Sequence, residues 1–259
     1  MINLISVIEN KIKEAMKIKF DFNEEVEVII EKPKKEEFGD YTSNISLKVS
    51  KSLKMKPMEI AHQIVDYIDE DDLFECVNVK EPGFINFYVK KETLYRFLFH
   101  IEEDEKIKEL RKKYEDLLEQ QDFLKRTNEN FKNNTIEYVQ YVHSRIYSII
   151  NIFEQEGIGL SKIEEMNIDI EFNPLEQKMM KTVLNYSYIL KHVVTKKDPE
   201  KMMEYIVELC ALFYSYQEKT VFREIEEKRL IYVLMIVEKM RKIIKFVLDD
   251  LNIEVSYRM

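Results

Sequence analysis

The sequence predicts an α+β protein in three parts: a small N-terminal α/β domain with an antiparallel sheet over residues 1–100, a helical connector over 101–130, and an all-α helix bundle over 131–259. Three observations predict it. Strand signals are confined to the first part. From Glu105 onward, apolar residues recur at helical spacing. Only 4 Gly and 5 Pro interrupt 259 residues, which favours long helices over Gly-rich turns or disorder. The length suffices for two separate cores, since domains usually run ~100–150 residues.

In order along the chain, Ile5–Met16 reads as a helix and Val26–Glu31 as a β-rich run ended by Pro33. A helical pattern runs from about Tyr41 through Lys48–Leu53, and Pro57 suits the first turn of a helix over Met58–Ile68. Val77–Val79 and Phe84–Val89 read as strands joined at the turn dipeptide Pro82-Gly83. Glu102–Asn130 places Ile107, Leu110, Tyr114, Leu117, Leu118 and Phe123 at helical spacing among Glu, Lys and Gln, and is the connector. A helix follows from Thr135 to Glu156. Asn173-Pro174 and Asp198-Pro199 each mark a helix start. Met202, Tyr205, Ile206, Leu209, Phe213 and Tyr216 form one stripe, and the broader apolar surface of Lys228–Leu251 suggests a central helix of the bundle.

Composition narrows the function classes. With only Cys76 and Cys210, a disulfide framework is not expected. Met1–Phe20 is too charged for a signal peptide, and no stretch approaches the ~20 apolar residues that span a bilayer. A cytoplasmic protein without a membrane partner is therefore expected. His62, His100, His143 and His192 are scattered, and there is no Cys-x-x-Cys pair and no Gly-rich phosphate loop. No catalytic residue, metal ligand or cofactor is expected. The net charge of -9 weighs against nucleic acid, although Lys32, Lys34, Lys35, Lys48, Lys51, Lys54 and Lys56 fall within one stretch that forms either a basic face or ordinary solvated surface.

Three blocks carry a family resemblance. The first is Glu37-Phe38-Gly39-Asp40-Tyr41-Thr42-Ser43-Asn44, followed by Pro57, Glu59-Ile60-Ala61 and Pro82-Gly83-Phe84-Ile85-Asn86-Phe87. The second is Asn128-Glu129-Asn130 with Tyr138-Val139-Gln140-Tyr141-Val142-His143-Ser144-Arg145-Ile146. The third is Tyr257-Arg258-Met259. In this order they resemble arginyl-tRNA synthetase: its N-terminal additional domain, the opening helix of its DALR-type anticodon-binding domain, and its terminus. The catalytic domain that the family carries between the first two blocks has no counterpart in the connector, which lacks the alternating strands and phosphate-approaching loop of a nucleotide fold. Lys48-Val49-Ser50-Lys51-Ser52 differs at one position from the family's second ATP signature, but it lies inside the N-terminal match with no nucleotide fold before it.

Within the helix from Thr135, the residues Val139, Val142, Ile146, Ile149, Ile150 and Phe153 repeat at core spacing, whereas Tyr138, Tyr141, Arg145 and Ser148 share an adjacent face. Aromatic rings stack on unpaired bases and a guanidinium reaches phosphate or a base edge, so this face suits an anticodon loop. The alternative is that both tyrosines close the edge of the bundle. The resemblance implies base contacts from Tyr138, Val142 and Met259, with Tyr141, Arg145 and Arg258 beside them. Val142 stands where the family usually has alanine.

In Phe84–Val89 the alternation sets Phe84, Asn86 and Tyr88 on one face, with Asn86 marking that face as the wetter. The resemblance implies that this face meets the tRNA elbow, Phe84 stacking and Asn86 hydrogen-bonding. Phe84 covering a small core is the alternative. Phe38-Gly39-Asp40 reads as structural, with Asp40 capping the next helix.

The function expected is tRNA binding, of arginine tRNA, without aminoacylation by this chain, as an accessory to a tRNA-modifying or aminoacylating enzyme. DNA is not an expected partner. Two other readings stand beside it: a protein-interaction scaffold that has lost RNA binding, and the tRNA-binding half of a split synthetase.

Overall fold

A computed structural model describes residues 3–33, 35–68, 72–130, 133–160 and 170–255. The chain forms two compact units, Met1–Phe97 and Leu98–Met259. In the first, α1 (Leu4–Phe20) opens at Asn3, whose Oδ1 accepts the Ser6 N–H at 2.8 Å as an N-cap. Its buried stripe, Leu4, Ile8, Ile12, Ala15 and Met16, packs on α3 (Pro57–Ile68), which buries Ile60, Ala61, Ile64, Val65 and Ile68 in return. α2 (Ile45–Leu53) and α3 also pack on a four-stranded antiparallel sheet of β1 (Ile30–Glu31), β2 (Tyr41–Ser43), β3 (Phe74–Lys80) and β4 (Phe84–Val89), in the order β1-β2-β4-β3.

Three local expectations change. Val26–Glu31 pairs only over its last two residues, because β2 offers an edge of just three. Tyr41–Ser43 is strand rather than helix: these residues pair with Phe87, Asn86 and Ile85, and long-range pairing outweighs the local helical pattern. Asp40 does not cap a helix. Its carboxylate accepts the Val89 N–H at 2.7 Å and its own N–H donates to the Phe87 carbonyl at 2.8 Å, so it fastens the start of β2 to β4. Gly39 is required there, since at φ 88° a Cβ would lie 2.6 Å from the Phe87 carbonyl oxygen. Gly83 closes the β3–β4 turn against Ser46 and Pro57, where a Cβ would meet atoms at 2.7 and 2.8 Å.

Chain continuity runs through α4 (Lys91–Phe99) into the second unit, whose described regular structure is helical: α5 (Glu105–Leu118), α6 (Gln121–Asn130), α7 (Asn133–Gln155), α8 (Pro174–Leu184), α9 (Tyr186–Lys196), α10 (Pro199–Lys219) and α11 (Glu227–Asp250). The stretch expected as one connector is two helices. α5 packs on α9 and α6 on α10, through buried Ile107, Leu110, Tyr114, Leu117, Leu118 and Phe123.

α10 touches α6, α7, α8, α9 and α11, and its buried stripe is the one read from the sequence. α11 is buried along most of its length, with Leu230, Val233, Leu234, Val237, Met240, Ile244, Val247 and Leu248 inside. Asn173 and Glu176 form a reciprocal capping box at the start of α8, and Asp198 caps α10 through the Lys201 N–H. Glu176, fully buried, also accepts Tyr216 Oη at 2.7 Å and Arg229 Nη2 at 2.8 Å, which ties α8 to α10 and α11.

Candidate nucleic-acid interface

α7 separates its faces as its periodicity requires. Val139, Val142, Ile146, Ile149, Ile150 and Phe153 are buried against the bundle, while Tyr138 is half-buried and Tyr141 (44 % exposed) and Arg145 are exposed. Val142 is 0 % exposed. It falls on the core side of the helix, so from this position its side chain does not touch a base; that implied role is corrected to packing behind the tyrosines. Ser148 donates to the Ser144 carbonyl at 2.9 Å and so spends its hydroxyl inside the helix.

α10 runs beside α7 and adds residues that sequence reasoning missed. Tyr214, 39 % exposed, lies near Tyr138 and Tyr141. Burial pushes the Tyr138 phenol up, with Cys210 and Tyr214 adding to it; a hydrogen bond to Glu218 and that carboxylate's charge push Tyr214 up. The phenols therefore remain neutral donors at neutral pH. Gln217 accepts Arg145 Nε–H at 3.3 Å. Three rings and one guanidinium thus stand together on α7 and α10, a set of groups suited to stacking and phosphate contact.

The last described residues reach the same helix. Gln140 Nε2 donates to the Glu254 carbonyl at 2.6 Å, beside Tyr141 in sequence. Arg258 and Met259, both expected in the site, lie outside the described residues.

His143, on the opposite side of α7, is fully buried, and Arg241 Nη1 stands 3.2 Å from its Nε2. Burial, then the charges of Arg241 and Lys245, lower its pKa to about 4, so it is a neutral packing residue and supplies no charge to a phosphate.

In the first unit Phe84 and Tyr88 are half-buried, and Tyr88 Oη donates to the Glu37 carbonyl at 2.8 Å. Asn86 is only 2 % exposed, and its Oδ1 accepts Thr42 Oγ1 at 2.7 Å. The face expected to be wetter is closed at its centre by this cross-strand bond between neighbours in register. Phe84, the member of the trio with no polar group, is left half-open. The near-match to an ATP signature, 48–52, lies on α2: Val49 is buried, Lys48 Nζ donates to the Glu27 carbonyl and Ser50 to the Leu47 carbonyl. A regular helix interior offers no cradle of backbone N–H groups to a phosphate.

Comparison with known proteins gives two family matches. Residues 3–89 match the arginyl tRNA synthetase N terminal domain, and residues 139–259 match the DALR anticodon binding domain. The arginine–tRNA ligase of Thermotoga petrophila is 42 % identical over 91 residues, 35 % of this chain and 16 % of that enzyme. That of Histophilus somni strain 2336 is 33 % identical over 92 residues, 36 % of this chain and 16 % of the enzyme. That of Acetivibrio thermocellus is 28 % identical over 137 residues, 52 % of this chain and 23 % of the enzyme. The aligned part of the chain is thus less than a quarter of the length of each relative.

Proposed function

We propose that this chain, which belongs to the arginyl-tRNA synthetase family through its N-terminal and anticodon-binding domains, binds tRNA with both and carries out no aminoacylation by itself. The observation that carries the reading is the exposed set of Tyr141, Tyr214 and Arg145 inside the matched anticodon-binding domain, with half-buried Tyr138 at its edge. An anticodon loop presents unpaired bases for rings and phosphates for a guanidinium. Gln140 holds the Glu254 carbonyl against α7; Arg258 and Met259 are assigned to the site by the family resemblance alone. In the N-terminal domain Phe84 is the ring for an elbow base, with Asn86 holding the strand through Thr42 and Tyr88 bracing it through Glu37.

The two family matches leave residues 90–138 between them, and the described part of that interval is α4, α5, α6 and the start of α7. A nucleotide-binding domain needs a parallel sheet with strand-to-helix phosphate loops. By its family the ligand is arginine tRNA, delivered to or held for a charging or modifying enzyme. A second reading is the tRNA-binding half of a two-chain ligase whose catalytic part a separate chain supplies. Restored arginine charging on mixing with a separate catalytic chain supports it.

Binding of an arginine tRNA transcript to wild type, Tyr138→Ala and Phe84→Ala tests the reading. Each substitution is expected to weaken binding by about 5- to 100-fold, the range for one lost stacking partner. Equal binding by all three, or none by wild type at low salt, overturns it.

A further inference from the structure

Arg145 leaves α7 on the exposed tyrosine face, and its Nε–H is taken by Gln217 Oε1 of α10 at 3.3 Å. A guanidinium nitrogen only donates, so the partner atom on Gln217 must be its carbonyl oxygen and the orientation of that amide is fixed. The guanidinium has five N–H groups in a planar fork. With Nε–H engaged, Nη1 and Nη2 keep the edge that meets two phosphate oxygens at once. Among the described residues none engages that edge, and the side chain is exposed. Gln217 is half-buried, on a helix whose neighbouring turns are fixed by buried Phe213 and Tyr216, so the acceptor stands on a rigid base.

We infer that Gln217 is a positioning residue for RNA: by accepting the Nε–H of Arg145 it holds the guanidinium with its Nη1/Nη2 edge open to a phosphodiester of a single-stranded loop. This rests on the tRNA-binding reading of the same face. An arginine in solution samples many rotamers, and a residue that orders it before the ligand arrives lowers the entropic cost of binding. The contact to RNA is made by Arg145; Gln217 acts only through it.

The test measures binding of an arginine tRNA transcript over a series of salt concentrations to wild type, Arg145→Met, Gln217→Met and the double variant. Arg145→Met is expected to weaken binding and to reduce the steepness of the salt dependence by about one phosphate contact. Gln217→Met is expected to weaken binding about 3- to 10-fold, and the double variant to bind no more weakly than Arg145→Met alone. That coupling separates positioning from a general effect on the fold, which would add to the loss from Arg145→Met. Binding by Gln217→Met equal to wild type, or an additive loss in the double variant, overturns the inference. If Arg145→Met and Tyr141→Ala both bind as wild type does, the RNA-binding reading of the face fails, and the inference with it.

Discussion

Tyr141 and Val142 are adjacent in sequence and opposite in fate. The first is among the large hydrophobic side chains left exposed and the second is sealed in the bundle. Replacing the exposed ring removes a stacking surface with little effect on the core, so Tyr141→Ala is expected to weaken tRNA binding while the melting midpoint stays near wild type. A matching loss in stability would show that the ring packs rather than binds. Val142→Ala is expected to do the reverse. Deleting buried methyl groups lowers stability by about 1–3 kcal/mol, by analogy with other core truncations, and leaves tRNA affinity nearly unchanged. Chemical unfolding and tRNA titration of the two variants side by side check both expectations. Periodicity alone separated these neighbours, since positions three and four apart share a helix face. The closed position of Asn86 was not readable in the same way. Its alternation in β4 is correct, but only the paired Thr42, 44 residues earlier, explains why it is buried.

Between elements, polar joints hold the helical unit in register. Glu176 is the clearest: one buried carboxylate accepts hydrogen bonds from the Asn173 N–H, Tyr216 Oη and Arg229 Nη2. Glu176→Ala leaves Arg229 and the hydroxyl of Tyr216 without their acceptor, and is expected to cost about 3–5 kcal/mol, the range for breaking a buried ion pair. Urea unfolding measures it, and a loss under about 1 kcal/mol, as for a surface substitution, would contradict the joint.

A second joint brings Arg111 of α5 over the rings of Tyr186 (5.3 Å) and Phe246 (4.4 Å), with Asp250 at the end of α11. Burial, then the charge of Glu115, raise the Asp250 pKa to about 7, with Arg111 opposing. A carboxyl raised in the folded state favours folding in its protonated form. Its contribution is full below the unfolded value of ~3.9 and is lost as pH rises through about 7. Asp250→Asn is therefore expected to gain stability relative to wild type on going from pH 5 to pH 8. A constant difference between the two proteins across that range would show that Asp250 does not titrate there.

These joints explain what the sequence left unread. The caps at Asn173 and Asp198 were legible from their Asn-Pro and Asp-Pro dipeptides. The pairing of Tyr41 with Phe87, or of Arg145 with Gln217, depends on residues 46 and 72 positions away, where no local periodicity reaches.

Over the whole molecule, matches to the arginyl tRNA synthetase N terminal domain and to the DALR anticodon binding domain occur in one chain, with the described residues between the two matches forming helices. The acidic total of -9 means that any RNA binding depends on a few placed groups rather than on bulk attraction. In the proposed reading Arg145 and the tyrosines are those groups, and binding that rests on rings and few phosphates should depend on salt only moderately, by ~0.7 in the logarithm per single-strand phosphate. The most direct measurement is to pass total cellular tRNA over the purified protein at low and moderate salt and sequence what is retained. Enrichment of arginine tRNAs, abolished by the combined Tyr138→Ala and Tyr141→Ala variant, is the result this account predicts; no retention, or retention of all tRNAs alike and unchanged in the variant, would contradict it.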